Sequence, residues 1–202
     1  MGIWLGQQRL ILASQSRARK MLLENAGLDV EALPADIDER AVQRDSGLSG
    51  PGEIAAFLAR EKALFVSGQR PAQYVVGADQ TLALGPRMFS KPAGRVQAAE
   101  QLRLLAGQPH ELHSAVAVAR DGQVLFSDVS VARMTMRRLG DGEIEAYLDQ
   151  AGAAVTTSVG AYQLEGLGVH LFERIEGDHF TILGLPLLSL LAFLRGEKLL
   201  AV

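Results

Sequence analysis

The chain has 202 residues, of which 48% are hydrophobic and 21% charged, a balance that suits one medium domain or two closely fused lobes around a real core. A formal net charge of −3 excludes the basic surplus that nucleic-acid polymers select, and the lack of cysteine excludes disulfides and thiolate metal sites. No charged region leads into a long apolar run at residues 1–10, and the most apolar stretch, residues 182–194, is too short and interrupted to span a bilayer. The expectation is a cytoplasmic protein that engages neither membrane nor nucleic-acid polymer.

In chain order, Arg9–Ala13 reads as a short strand. Ser14-Gln15-Ser16 is a loop able to cap a helix over Arg17–Asn25, which stops near Gly27. Val30–Leu33 is a second strand closed by Pro34, and the acidic run from Pro34 to Glu39 reads as a solvated loop. Gly52–Ser67 has helical spacing at Ile54, Phe57, Leu58 and Ala63. Tyr74–Ala78 is a compact β-type run ending at Asp79, with more strand over Thr81–Leu84 before the Gly85-Pro86 turn. Val96–Leu105 is helical. Leu112–Ala119 and Val124–Met136 are two long strands around Asp121-Gly122, a strong hairpin signal. Gly142–Asp149 is a short helix, Gly160–Leu164 and Val169–Ile175 are strands, and Pro186–Leu194 is the last helix. Alternating helices and strands with one long antiparallel hairpin predict an α/β fold with a mixed central sheet and flanking helices.

Three cations, Arg17, Arg19 and Lys20, crowd the first turn of the first helix, where the positive end of the helix dipole disfavours them. A bound polyanion would reverse that preference. Free backbone N–H groups, the hydroxyls of Ser14 and Ser16 and these cations together would form a phosphate site. A solvated basic turn capped by serine explains the spacing equally well, and the glycine spacing of a P-loop is absent. Asp79 follows an apolar strand, where an ionised carboxylate is costly unless paired or metal-bound. It is therefore either a metal ligand or general base, or an ordinary turn-forming aspartate. Asp38 and Glu39 are further candidate metal ligands, with Asp36 a weaker one, since magnesium needs only one or two acids. Lys62 and Lys91 are lone cations, either solvated or placed on phosphate oxygens. The four histidines show no metal-binding spacing, and no GxSxG elbow supports serine hydrolysis.

Taken together, ordered segments resemble the Maf family of nucleotide pyrophosphatases from Leu10 to about Leu194. They are Leu12-Ala13-Ser14-Gln15-Ser16-Arg17-Ala18-Arg19, Ile37-Asp38-Glu39, Glu61-Lys62-Ala63, Val76-Gly77-Ala78-Asp79, Lys91-Pro92, Gly160-Ala161-Tyr162, Glu176-Gly177-Asp178 and Gly184-Leu185-Pro186-Leu187. The resemblance implies one Maf-like domain over residues 1–202, elongated and related to inosine-triphosphate pyrophosphatases, with two lobes around a cleft. It also implies Mg²⁺ or Mn²⁺ as cofactor, and a homodimer on family grounds alone. Asp79 matches the catalytic acid. Ser14, Ser16, Arg19, Lys62 and Lys91 are assigned to substrate phosphates, and Glu39 and Asp79 to the metal. The reaction so implied is water attack at the α-phosphorus of a nucleoside triphosphate, with pyrophosphate leaving.

The chain departs from the family's common Pro-Arg-Arg by reading Arg17-Ala18-Arg19. It also carries Asp79-Gln80 and Glu165-Gly166, where the dTTP/UTP branch has Asp-Thr and Gln-Gly. Those features resemble the branch associated with 7-methyl-GTP, and Ala18, Gln80 and Glu165 become candidate base-pocket residues. A glutamate accepts hydrogen bonds from a guanine edge and favours the cationic 7-methyl base. Three other readings stay open: a dTTP/UTP pyrophosphatase, a hydrolase releasing orthophosphate, and a nucleotide-binding regulator of septum formation that needs no turnover.

Overall fold

Parallel pairing starts at the first apolar run. In the computed structural model, which describes residues 2–202, the chain runs β1 (Leu10–Leu12), α1 (Arg17–Asn25), β2 (Val30–Ala32), α2 (Glu39–Ser46), α3 (Pro51–Ser67), β3 (Val75–Leu84) and β4 (Arg87–Phe89). It continues through α4 (Arg95–Leu105), β5 (Pro109–Arg120), β6 (Gln123–Met136), α5 (Asp141–Ala151), β7 (Phe172–Glu176), α6 (His179–Ile182) and α7 (Leu187–Gly196). The hydrogen-bonded strand order is β2-β1-β3-β5-β6-β7, with β4 on β3. β1 pairs in parallel with β2 and β3, whereas β4 on β3 and β7 on β6 are antiparallel. The fold is thus a mixed sheet with flanking helices, as the alternation of elements predicted. No helix among the described residues is long and apolar enough to cross a membrane.

The chain divides into two compact units. The first holds the residues up to Gln80 with Ser114–Ser130 and Leu183–Val202, and the second holds Thr81–His113 and Val131–Ile182. In the first, a stripe of small side chains, Ala55, Ala59 and Ala63, packs on Ala115, Ala117 and Ala119 of β5. Their four-residue spacing puts the helical alanines on one face, and the two-residue spacing does the same on the strand. Ile11, Ala13, Val66 and Val75 form the adjoining cluster. Val75 therefore shares the α3 side of the sheet, and strand alternation puts residues 77 and 79 there too. In the second unit, Leu82, Leu102, Leu105, Met134, Met136, Ile144 and Leu148 form the core.

Local chemistry sets the element ends. Ser16 caps α1 by accepting the Arg19 N–H, and Pro51 occupies the first turn of α3. The hairpin turn at Asp121 (φ 52°) and Gly122 (φ 73°) has both residues in the left-handed region, matching the strand twist.

Other expectations are corrected. The acidic loop ends in a helix, because Asp38 caps α2 by accepting the Ala41 N–H at 3.0 Å. β3 runs straight through Asp79 to Leu84, so that acid is not at a strand end. Strand over Gly160–Leu164 is replaced by a 3₁₀ turn at Val159–Ala161, where Gly160 (φ 77°) and Ala161 (φ 62°) leave the extended region. Only Phe172 onward of the expected Val169–Ile175 strand is extended, after a 3₁₀ turn over Leu167–Leu171. β4 and α6, of three and four residues, are too short to show periodicity.

The second unit also buries a titratable pair. His110 is 1% exposed, and its Nε2 lies 2.8 Å from the Tyr162 hydroxyl. Burial pushes the Tyr162 phenol up, so it keeps its proton, and the imidazole tautomer sets which of the two donates. Burial pulls His110 down from 6.5 to about 4. Above pH 6.5 the imidazole is neutral in both folded and unfolded chains, and no difference arises. As pH falls from 6.5 towards 4, the unfolded chain gains a proton that the folded one resists, and stability drops. The loss totals about 3 kcal/mol once both states are protonated. Urea unfolding of His110→Gln is expected to show a flatter stability profile across that window than the parent. An unchanged profile would mean that His110 does not titrate this way.

Candidate active site

Asp79 and Lys62 are each 7% exposed, and they meet. The Lys62 Nζ donates to Asp79 Oδ1 at 2.6 Å and pairs with Glu39 Oε1 at 2.9 Å. Three elements supply the three groups. α3 brings Lys62 from its alanine-rich face, β3 brings Asp79 from the face that α3 covers, and the first residue of α2 brings Glu39. Asp38, considered a metal ligand from its position in the sequence, is instead engaged as the cap of α2. Burial pushes the Asp79 carboxyl above its ordinary value. Lys62 and Arg19 pull it back, and the Glu39 charge adds to the rise.

The cationic turn at α1 splits into three different situations. Arg17 is exposed, and Lys20 pairs with Glu24 one turn along the helix. Arg19 alone turns inward. Its Nη1 donates to Ala78 O at 2.8 Å and to Ser14 Oγ at 3.2 Å, and its Nε donates to Gly184 O at 2.8 Å. Ser14 Oγ also accepts the Ser16 N–H at 3.2 Å. Arg19 is thereby held beside the residue that precedes Asp79. Burial lowers its proton affinity, while Asp79 and Glu39 raise it. A guanidinium so placed stays charged.

Six of the residues singled out in the sequence, Ser14, Ser16, Arg19, Glu39, Lys62 and Asp79, lie in this neighbourhood of the first unit. Ala18 is half-buried on α1. Gln80 turns to the sheet face opposite Asp79, where its Nε2 donates to Ser114 Oγ at 2.9 Å. Lys91 and Glu165 belong to the second unit and are exposed, Lys91 just after β4 and Glu165 in a turn closed by the Gly166 N–H on Gln163 O at 3.2 Å. Two contributors escaped sequence reasoning because they act through backbone carbonyls: Ala78 and Gly184. The Val76-Gly77-Ala78-Asp79 and Gly184-Leu185-Pro186-Leu187 runs contained them without revealing their roles.

No group of three His, Cys, Asp or Glu side chains among the described residues is placed to hold a metal. The donor set is instead two carboxylates, Asp79 and Glu39, converging from separate elements on one ammonium. That number fits magnesium, which completes its shell with water and substrate phosphate.

Lys62 is the strongest influence holding Asp79 down against burial. Lys62→Met is therefore expected to raise the Asp79 carboxyl further in the metal-free protein, read by carboxyl ¹³C NMR across a pH series. A fall, or no change, would contradict the direct pairing.

A model of the Maf-like protein family matches residues 9–197. A protein of Bradyrhizobium diazoefficiens named nucleoside triphosphate pyrophosphatase is 70% identical over the whole of both chains. One of Rhodopseudomonas palustris with the same name is 67% identical, again over both whole chains. A 7-methyl-GTP pyrophosphatase of Mesorhizobium japonicum is 54% identical over 93% of this chain and 96% of its own. Among solved structures, a HAM1 protein of Coxiella burnetii aligns with 66% of this chain and 75% of its own at 18% identity, with a TM-score of 0.44. With the family model covering nearly the whole sequence and relatives of such identity along its full length, this chain belongs to the Maf family.

Proposed function

We propose that this chain hydrolyses nucleoside triphosphates to nucleoside monophosphate and pyrophosphate at the cluster of Asp79, Lys62, Glu39 and Arg19. One observation carries the reading: a buried ammonium and a buried carboxylate 2.6 Å apart, with a second acid on the same ammonium and an arginine alongside. A charge cluster of this kind is costly as mere scaffolding, since apolar side chains of similar volume usually serve stability as well or better. It is well suited to phosphoryl chemistry, where positioned cations stabilise charge on the triphosphate. The names of the close relatives support the same reaction.

In this reading, Arg19 and Lys62 neutralise phosphate oxygens, and Ser14 and Ser16 add hydroxyls and a helix N-terminus on the same side. Lys91, exposed on the second unit, is a further phosphate contact on the strength of the family resemblance. Asp79 orients the attacking water or takes its proton, a role that a carboxyl raised by burial suits better than an ordinary one. Asp79 and Glu39 would hold a divalent cation. Such an ion supplies further charge neutralisation of the triphosphate when bound. A chain without cysteine fits the reducing cytoplasm, which holds the nucleotide pool.

The finer proposal is a preference for 7-methyl-GTP. It rests on Glu165, Gln80 and Ala18 in the sequence, and the Mesorhizobium relative adds support. Glu165 is its most direct carrier, because it is exposed and bears a charge that favours a cationic base.

Asp79→Asn is expected to lower kcat by about 10²–10³-fold with the fold retained, measured as pyrophosphate release with Mg²⁺ or Mn²⁺. Near-normal turnover would reject the assignment, and orthophosphate as the first product would reject the reaction. For the base, Glu165→Gln is expected to narrow the kcat/KM advantage of 7-methyl-GTP over UTP. An unchanged ranking would remove Glu165 from the base contact.

A further inference from the structure

Residues 75, 77 and 79 of β3 share the sheet face that α3 covers, and Gly77 is one alternation before Asp79. Its φ is not in the left-handed region, so the backbone itself does not require glycine there. Space does. A methyl group at residue 77 would overlap the Ala59 carbonyl oxygen and come within 2.7 Å of the Ala63 amide nitrogen and 3.0 Å of the Ala63 methyl. The first two are backbone atoms of α3, which no change of rotamer can clear. The helix rests on bare backbone at the turn that carries Lys62, the neighbour of Ala63.

We propose that Gly77 is a positioning residue for the reactive pair: its missing side chain sets the height of α3 above β3, and so places Lys62 on Asp79. The lysine stem cannot simply absorb a lifted helix. Its ammonium holds two acids from two other elements, at 2.6 and 2.9 Å, from a side chain that is itself buried. Raising α3 must lengthen at least one of those contacts. This inference rests on the reading of Asp79 and Lys62 as working groups of the pyrophosphatase site. It adds a residue that touches neither substrate nor metal.

A double-mutant cycle in kcat tests it, using folded protein quantified by its cooperative thermal melt. Gly77→Ala alone is expected to lower kcat on the order of 10²-fold, the usual scale for displacing a reactive group by about 1 Å. KM is expected to change far less. In a Lys62→Met background the same substitution is expected to cost almost nothing more, because the contact it disturbs is already gone. If Gly77→Ala does not fold, Ala63→Ser adds one atom at the same contact and is read through the same cycle, with a smaller loss. Wild-type kcat in the folded variant, or an equal loss with and without Lys62, would overturn the proposal. Turnover by Asp79→Asn separates the two failures. An inactive Asp79→Asn beside an additive cycle removes the role of Gly77 alone, whereas an active Asp79→Asn removes the reading of the site on which it rests.

Discussion

The candidate site depends on one buried ammonium shared by two carboxylates. Removing Lys62 and Asp79 from water is expensive, and close pairing with additional partners is what makes the burial tolerable. Each partner comes from a different element, so the cluster forms only when α2, α3 and β3 are all in place. The same interaction leaves the Asp79 carboxyl under two opposed influences. Burial makes it hold its proton, while Lys62 and Arg19 make it release it. A carboxyl balanced in this way has a proton affinity open to change by substrate phosphates or a cation, because either alters the charge around it.

Close packing on the α3 side of the sheet makes that balance possible. Small alanines of α3 and β5 pack together, and the glycine on β3 leaves no room for even a methyl group beneath α3. A tightly seated helix limits the positions open to a flexible lysine. On α1, Arg19 is fixed by carbonyls from residues 78 and 184 and by a serine hydroxyl, so its orientation is set largely by backbone that cannot rotate away. The result is a set of charges whose directions are decided before any ligand arrives, the condition under which electrostatic stabilisation of a transition state is most effective.

The second unit is built on a different principle. Its core is made of large apolar side chains, and it encloses the neutral His110–Tyr162 pair in place of a charged one. Tyr162 follows two residues in the left-handed region, and its carbonyl accepts the Ser158 hydroxyl at 2.5 Å. The Tyr147 hydroxyl donates to the carbonyl of Ala161 at 3.2 Å. These bonds hold an irregular segment in one conformation without regular secondary structure. Glu165 lies just beyond it, in a turn closed on Gln163.

Much was legible in the sequence itself. The serine cap and first helix, the alanine-rich third helix, the Asp-Gly hairpin and the last helix each have a local cause, in capping, periodicity or turn chemistry, that the amino acids carry wherever they are. Ordered motifs pointed to the family and to Asp79, Lys62, Glu39 and Arg19 as its working groups. Tertiary structure decided which of these groups meet. Only packing shows that Arg19, and neither Arg17 nor Lys20, turns inward, since all three are equivalent cations along the chain. Only the sheet shows that Asp79 and Gln80, adjacent in sequence, face opposite sides. The roles of Gly77, Ala78 and Gly184 lie in an absent side chain and in main-chain carbonyls, which carry no identity in a sequence and acquire meaning only from what approaches them in space.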